Sequence, residues 1–207
     1  FEVMRVLQRW DLSALPRGAA IRDVRLILRQ EDTSGFPRAY PPRWPVDFFL
    51  YETRKPWGAG RGGTQGDNQS KPERGDAWWL EDRAGEAAWT RPGCGFGSED
   101  DARADRGSSP LACARLRSSR EDLCFSGPCL AAHVERLLAE GKPLEVIIDA
   151  GAADEASPGS IKAFFSAEFG DDSSPLLRPR LEVDWTAPAA WVETRPFVLE
   201  PGSSVSL

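Results

Sequence analysis

The chain moves between two hydrophobic periods. From Met4 to Trp10 it alternates, with Met4, Val6, Gln8 and Trp10 on one face and Val3, Arg5, Leu7 and Arg9 on the other. From Ile21 to Arg29 the alternation is cleaner: Val24, Leu26 and Leu28 point one way, Arg25 and Arg29 the other. A period of two belongs to a strand with one buried face. Ser13-Ala14-Leu15-Pro16-Arg17-Gly18 reads as the turn between them. Val46 to Thr53 predicts a third strand, dense in aromatics, after the Pro-rich connection Pro37 to Pro45. Leu144–Asp149, Lys162–Phe169 and Arg180–Trp185 predict three more, and Phe197–Leu199 a last one. Helical spacing occurs once: Leu130, Val134, Leu137 and Leu138 share a face after Gly127-Pro128, and Gly141 can end the helix. His133 and Glu135 lie off that stripe, which predicts a surface histidine. The pattern predicts an all-β, antiparallel β-sandwich with one short helix.

A long polar stretch, Trp57 to Ser119, interrupts the strands and reads as an irregular insertion with short apolar pieces at Ala77–Leu80 and Ala87–Trp89. With 207 residues, the chain has enough material for one sizeable core. The expected organisation is one sandwich domain over 1–187, with the insertion at about 57–119, and a C-terminal tail over 188–207 that supplies an added strand. The net charge of −6 argues against a nucleic-acid binder, which needs a basic face. No apolar run approaches the roughly 20 residues of a membrane-spanning helix.

Trp57-Gly58-Ala59-Gly60-Arg61-Gly62-Gly63 contains G-x-G-x-x-G, the pattern of a dinucleotide cradle. A cradle needs a helix opening at the end of the loop. Here Asp67-Asn68-Gln69-Ser70-Lys71-Pro72 follows, with no apolar face to bury. The glycines therefore belong to a surface excursion that Trp57 packs down, and no nucleotide is expected. The four cysteines, Cys94, Cys113, Cys124 and Cys129, lie in one central segment without C-x-x-C spacing, which argues against zinc. Two disulfides fit an oxidising compartment, with Cys94–Cys113 and Cys124–Cys129 preferred because Ser126-Gly127-Pro128 can turn a short ring; four reduced, buried thiols are the alternative.

Arg9-Trp10-Asp11-Leu12-Ser13-Ala14-Leu15-Pro16-Arg17-Gly18-Ala19 resembles the "R-F-D-L-S-x-L-P-x-G-A" opening of DNRLRE-type (disaggregatase-related) domains, and Val24–Leu28 the "A-x-L-x-L" strand after it. Trp57-Gly58-Ala59-Gly60, Asp76-Ala77-Trp78-Trp79-Leu80 and Trp89-Thr90-Arg91-Pro92-Gly93 resemble the family's "W-G-E-G", "D-A-T-W-L" and "W-x-x-P-G". Phe165-Ser166-Ala167-Glu168 and Arg178-Pro179-Arg180-Leu181-Glu182-Val183 resemble "F-x-S-x-E" and "R-P-x-L-x-V". The motifs keep the family's order over about Arg5 to Trp185. The resemblance implies a jelly-roll sandwich outside the cytoplasm of a bacterium or archaeon: periplasmic, at the cell surface or secreted. Some relatives are carbohydrate-binding modules and others envelope proteins without an assigned ligand. Ala59 departs from the acidic residue of "W-G-E-G", the cysteines are outside the pattern, and the family's usual opening strand has no counterpart ahead of Arg9, so either the sequence is a fragment or another segment, such as Phe197–Leu199, completes the sheet.

Candidate chemistry is sparse, and no catalytic residues are expected. Glu81-Asp82, Glu99-Asp100-Asp101 and Asp171-Asp172 offer the oxygen ligands that a structural calcium takes, but none has calcium-loop spacing, and solvated turns are the simpler reading. Glu168 and Arg178 read as a structural ion pair, with Arg9 or Asp11 as further members. Of the eight Trp, Trp10, Trp57, Trp79 and Trp89 occupy family-like positions and are expected to pack. Trp44, Trp78 and Trp191 are the candidates for an exposed contact surface. Two functions follow: a non-catalytic module that binds an extracellular or envelope polysaccharide, or a structural subunit that docks into an envelope protein assembly.

Overall fold

The structure, a computed structural model, describes residues 5–30, 43–58, 74–75, 77, 81–95, 104–119, 121–155, 162, 164–165 and 177–187. In chain order the elements are β1 (Val6–Trp10), β2 (Ala20–Leu28), β3 (Val46–Glu52), β4 (Glu81–Arg83), β5 (Ala87–Ala88), β6 (Ala112–Leu116), β7 (Leu123–Ser126), α1 (Pro128–Glu140), β8 (Leu144–Ala150), α2 (Ala152–Glu155) and β9 (Arg180–Thr186). One sheet runs β1-β8-β3-β6 and another β7-β2-β9, while β4 and β5 form a separate hairpin. All recorded strand pairs are antiparallel. No helix among the described residues is long and apolar enough to cross a membrane.

Strand alternation builds the core. Phe48 and Leu50 on β3 and Val146 and Ile148 on β8 face Val24, Leu26 and Leu28 on β2 and Leu123 and Phe125 on β7 in one buried cluster. Side chains of period two from both sheets thus meet in a shared layer. α1 carries the chain from the second sheet to the first and adds Leu130, Val134, Leu137 and Leu138 to that layer. It opens at Gly127-Pro128 and ends at Gly141, whose left-handed φ of 68° lets its N–H reach back to the last turn. Lys142 N–H closes the motif on Leu137 O at 2.9 Å.

The strands predicted near β1, β2, β3, β8 and β9 and the helix α1 are all present. Of the predicted strand 162–169, Phe164 makes an antiparallel bridge to Gln30 and packs edge-on against Phe48 at 5.8 Å; residues 163 and 166–169 lie outside the described residues, as do Phe197–Leu199. The polar stretch 57–119 is less irregular than its composition predicts. Its last part is β6, a full member of the first sheet, and Glu81–Ala88 makes the β4–β5 hairpin. β6 reads Ala-Cys-Ala-Arg-Leu: only Ala112 and Leu116 are buried, too few for a clear period. His133 is buried rather than exposed, 9% accessible, with Glu52 of β3 at 3.5 Å and Arg136 at 3.1 Å from its ring nitrogen.

All four cysteines are free thiols, which corrects the predicted Cys94–Cys113 and Cys124–Cys129 bridges. Cys94 is buried with Tyr51, Trp57, Trp89 and Ile147, whereas Cys113 is exposed on β6 opposite Phe49. Cys124 pairs with Ile27 across β7 and β2, and Cys129 sits in the first turn of α1. Ser126-Gly127-Pro128 starts that helix; it does not fold a ring between the two thiols.

Candidate functional site

The outer face of the first sheet and the segments packed on it hold most of the buried charge among the described residues. Tyr51 on β3 and Ile147 on β8 point there, opposite to Leu50 and Ile148, and cluster with Trp57, Trp89 and Cys94. Asp149 shares that face of β8. The buried guanidinium of Arg106 donates to Asp149 Oδ2 at 2.5 Å and stacks over the Tyr51 ring at 4.5 Å. Arg5 forms a two-pronged pair with Glu155 of α2 at 2.9 and 3.0 Å and donates to the Gly93 carbonyl at 2.5 Å. Burial dominates at Asp149 and pushes its carboxyl above the usual range, although Arg106 and Arg5 pull it back.

A second group lies alongside. Asp82 of β4 and Asp105 are both 0% exposed, and Lys55 Nζ sits 3.2 Å from one and 4.0 Å from the other. Lys55 also donates to the Ala88 carbonyl. Asp105 accepts the N–H groups of Thr90 and Arg91, each at 2.9 Å, so it caps that turn. The oxygens that would suit a cation therefore converge on an ammonium group of the protein itself. Among the described residues, no three or more His, Cys, Asp or Glu side chains group as metal ligands. Glu81 instead accepts Gly85 N–H at 3.2 Å; Glu99–Asp101 and Asp171–Asp172 lie outside the described residues.

These charges clamp residues 81–95 and 104–107 onto the sheet. Trp57 joins the clamp: Arg9 lies over its ring at 4.8 Å, bonds its carbonyl at 2.7 Å and pairs with Glu145 at 2.5 Å. Gly58 has a backbone role. A Cβ there would come 1.6 Å from the Gly75 carbonyl oxygen, and Gly58 exchanges backbone hydrogen bonds with Ala77 and Asp82. The first glycine of G-x-G-x-x-G thus lets two chain segments touch; Gly60 and Gly63 lie outside the described residues.

Trp44 is half-buried against the core, and Lys162 Nζ lies over its ring at 4.3 Å. Burial lowers Lys162 to about 8, against the opposing pull of Asp154, which also pairs with Arg43 at 3.3 Å. Trp78, Trp191 and Glu168 lie outside the described residues, and Arg178 is half-buried just before β9. Arg9 and Asp11 each have local partners: Arg9 as above, and Asp11 in a turn that receives Ser13 N–H at 2.9 Å and its hydroxyl at 2.8 Å. Of the tryptophans expected to pack, Trp57 and Trp89 are buried and Trp10 is half-buried, while Trp79 lies outside the described residues.

Sequence reasoning missed two features. The Asp105-Arg106-Asp149 set has no spacing signature, since its members meet only through folding. Trp185, on β9, is the large apolar side chain that is exposed among the described residues, at 37%; as the last residue of a predicted strand it is assigned neither to packing nor to contact. Comparison with protein-family models, curated proteins and solved structures returned no match.

Proposed function

We propose that this chain is a non-catalytic, extracytoplasmic docking module on a jelly-roll sandwich, serving as a structural subunit of a cell-envelope assembly through protein contacts. The sheet orders support the jelly-roll reading. In a jelly roll with strands lettered B to I, one sheet runs C-H-E-F and the other B-I-D-G. If β1 is C, chain order makes β2, β3, β6, β7, β8 and β9 into D, E, F, G, H and I. The two observed orders then read C-H-E-F and G-D-I. Position B, beyond β9, holds none of the described strands. The sequence motifs support the same fold, and the extracytoplasmic location rests on them.

The observation that carries the docking reading is the apolar row on β9. Leu181 and Val183 are half-buried and Trp185 is exposed, while their neighbours Leu26 and Val24 on β2 are sealed. An apolar row on an edge strand suits contact with another protein. Polysaccharide recognition is the second reading, favoured by Trp44 beside Lys162 and Arg43: an aromatic ring with cations matches an acidic sugar. Lys162 covers that ring, so stacking requires its displacement.

The test combines a panel of neutral and acidic polysaccharides with hydrogen exchange at Trp44 and at Leu181–Trp185. Docking predicts slowed exchange on β9 in the native envelope complex, insensitive to added sugar. Retardation of the chain by a polysaccharide, abolished by Trp44→Ala, would replace docking with carbohydrate recognition.

A further inference from the structure

We propose that the outer edge of β9 accepts an added strand, and that the occupant is an extended segment of a partner polypeptide, apolar at alternate positions and basic opposite Asp184. This rests on the docking reading and specifies its contact. β9 pairs with β2 along Arg180–Thr186 and with no other strand among the described residues. In an antiparallel ladder, alternate residues turn their N–H and C=O groups to the neighbour and the rest turn them outward. β9 therefore presents a row of main-chain donors and acceptors along the side that no described strand occupies.

The other edges are occupied or guarded. β7 lies against β6, the edge strand of the first sheet. On β1, Arg9 folds back over Trp57 and onto Glu145. On β6, Arg115 is held by Asp47 through two bonds of 2.6 Å. β9 carries outward charges as well, with Glu182 held by Arg25, but it lacks two stronger guards: there is no proline within Arg180–Thr186, and no charge among its inward residues Leu181, Val183 and Trp185. A strand beyond it would cover that row and complete the layer that β2 and β7 already seal.

Charge selects the kind of strand. Asp23 on β2 lies directly opposite Asp184 on β9, both exposed, and like charges in that relation are destabilising. One register step away the pattern is satisfied: Glu182 faces Arg25 at 3.3 Å. A Lys or Arg on the far side of Asp184 would balance the pair of aspartates. A second copy fits poorly: the antiparallel β9–β9 registers with the longer overlaps set Glu182 against Asp184 or one of them against its own copy, and the register that sets Arg180 against Glu182 overlaps only over Arg180–Glu182. The 188–207 tail is the poorer match on charge: its only basic residue is Arg195, eleven residues beyond Asp184, so a hairpin turning at Pro188 brings it opposite the start of β9 and not opposite Asp184.

The probe is a capped peptide of sequence VTVKVTV, with VTVEVTV as its control, added to the chain while exchange of the Leu181–Trp185 amides is followed. The expected result is slowing of about tenfold or more with the lysine peptide and a several-fold weaker effect with the glutamate peptide. Asp184→Lys should invert the preference while leaving β2 protected. The proposal is overturned if β9 is already as protected as β2 in the dilute chain, if protection depends on chain concentration, or if neither peptide slows exchange. The first two results would assign the edge to the chain's own residues or to a second copy. Failure of both peptides alongside protection of Trp185 in the native complex would reject the strand while sparing the docking reading.

Discussion

The two faces of the first sheet are built from alternate residues of the same strands, yet they hold together by different physics. Inward, Phe48, Leu50, Val146 and Ile148 meet apolar side chains from β2, β7 and α1. Outward, Phe49, Tyr51 and Ile147 share their face with Asp149, beside Arg106, Arg5 and Glu155. The inner layer gains from removing area from water, a term that has no direction and tolerates repacking. The outer layer fixes a polar segment through buried pairs, which are costly to desolvate and tolerate no missing partner. One face therefore sets the fold, and the other sets where a long excursion lies.

The largest expected effect comes from leaving a buried charge alone. Arg106→Met strips Asp149 of its closest cation and should cost about 3–5 kcal/mol in urea unfolding. Adding Asp149→Leu to that variant should restore most of the loss, since an apolar pair of similar volume avoids desolvation altogether. If the double variant is no better than the single, the outer face is held by something other than this pair. Leu50→Ala, on the inner face, should cost about 2–4 kcal/mol. The two differ in reach as well as size. Leu50→Ala should raise exchange in every strand of the sandwich, whereas Arg106→Met should open residues 81–95 and 104–107 first.

A smaller effect is expected at Gly58. A methyl group there meets the Gly75 carbonyl, a backbone atom that cannot swing aside, so Gly58→Ala should cost about 1–3 kcal/mol. Exchange at Ala77 and Asp82 would report it, because both share backbone bonds with Gly58. An unchanged pattern there would mean that the two segments separate freely, and that the clamp is made by the charges alone.

How much of this was legible follows the same division. β2 and β3 were readable because each buries one face against a layer of the same period, and α1 because Leu130, Val134 and Leu137 recur at helical spacing. β6 was not, since its two ends alone are buried and its middle residues are Cys113, Ala114 and Arg115. The outer cluster left no trace for another reason: Asp105, Arg106 and Asp149 are ordinary charged residues until β3 and β8 bring them together. The cysteines misled because proximity in sequence was read as proximity in space. Cys94 packs under Trp57 and Trp89, where burial pushes its thiol up to about 12 and keeps it protonated. Of the contact tryptophans, Trp44 proved half-covered by Lys162, while Trp185 took the exposed place.

The smallest effect tests the boundary between the two regimes, at His133. This side chain sits on α1, whose stripe is part of the apolar layer, yet its ring faces Glu52 at 3.5 Å and Arg136 at 3.1 Å. Burial, helped by Arg136, holds it below the ordinary histidine range, while Glu52 and Glu140 pull the other way. The unfolded chain therefore takes up its proton at a higher pH than the folded one. Stability should be full above about pH 6.5 and fall as the pH drops through the native value, because the unfolded state binds more protons in that window. Replacing the ring with a group that does not titrate, His133→Gln, should flatten the decline between about pH 7 and 5 without changing stability at pH 8 beyond its packing cost. A slope that persists in the variant would mean that His133 is not its source. Asp149 is not a substitute there: its raised carboxyl binds a proton more tightly in the folded chain, so acid would favour folding at that residue. The sign of the slope thus separates a histidine lodged in an apolar layer from a carboxylate lodged in a charged one.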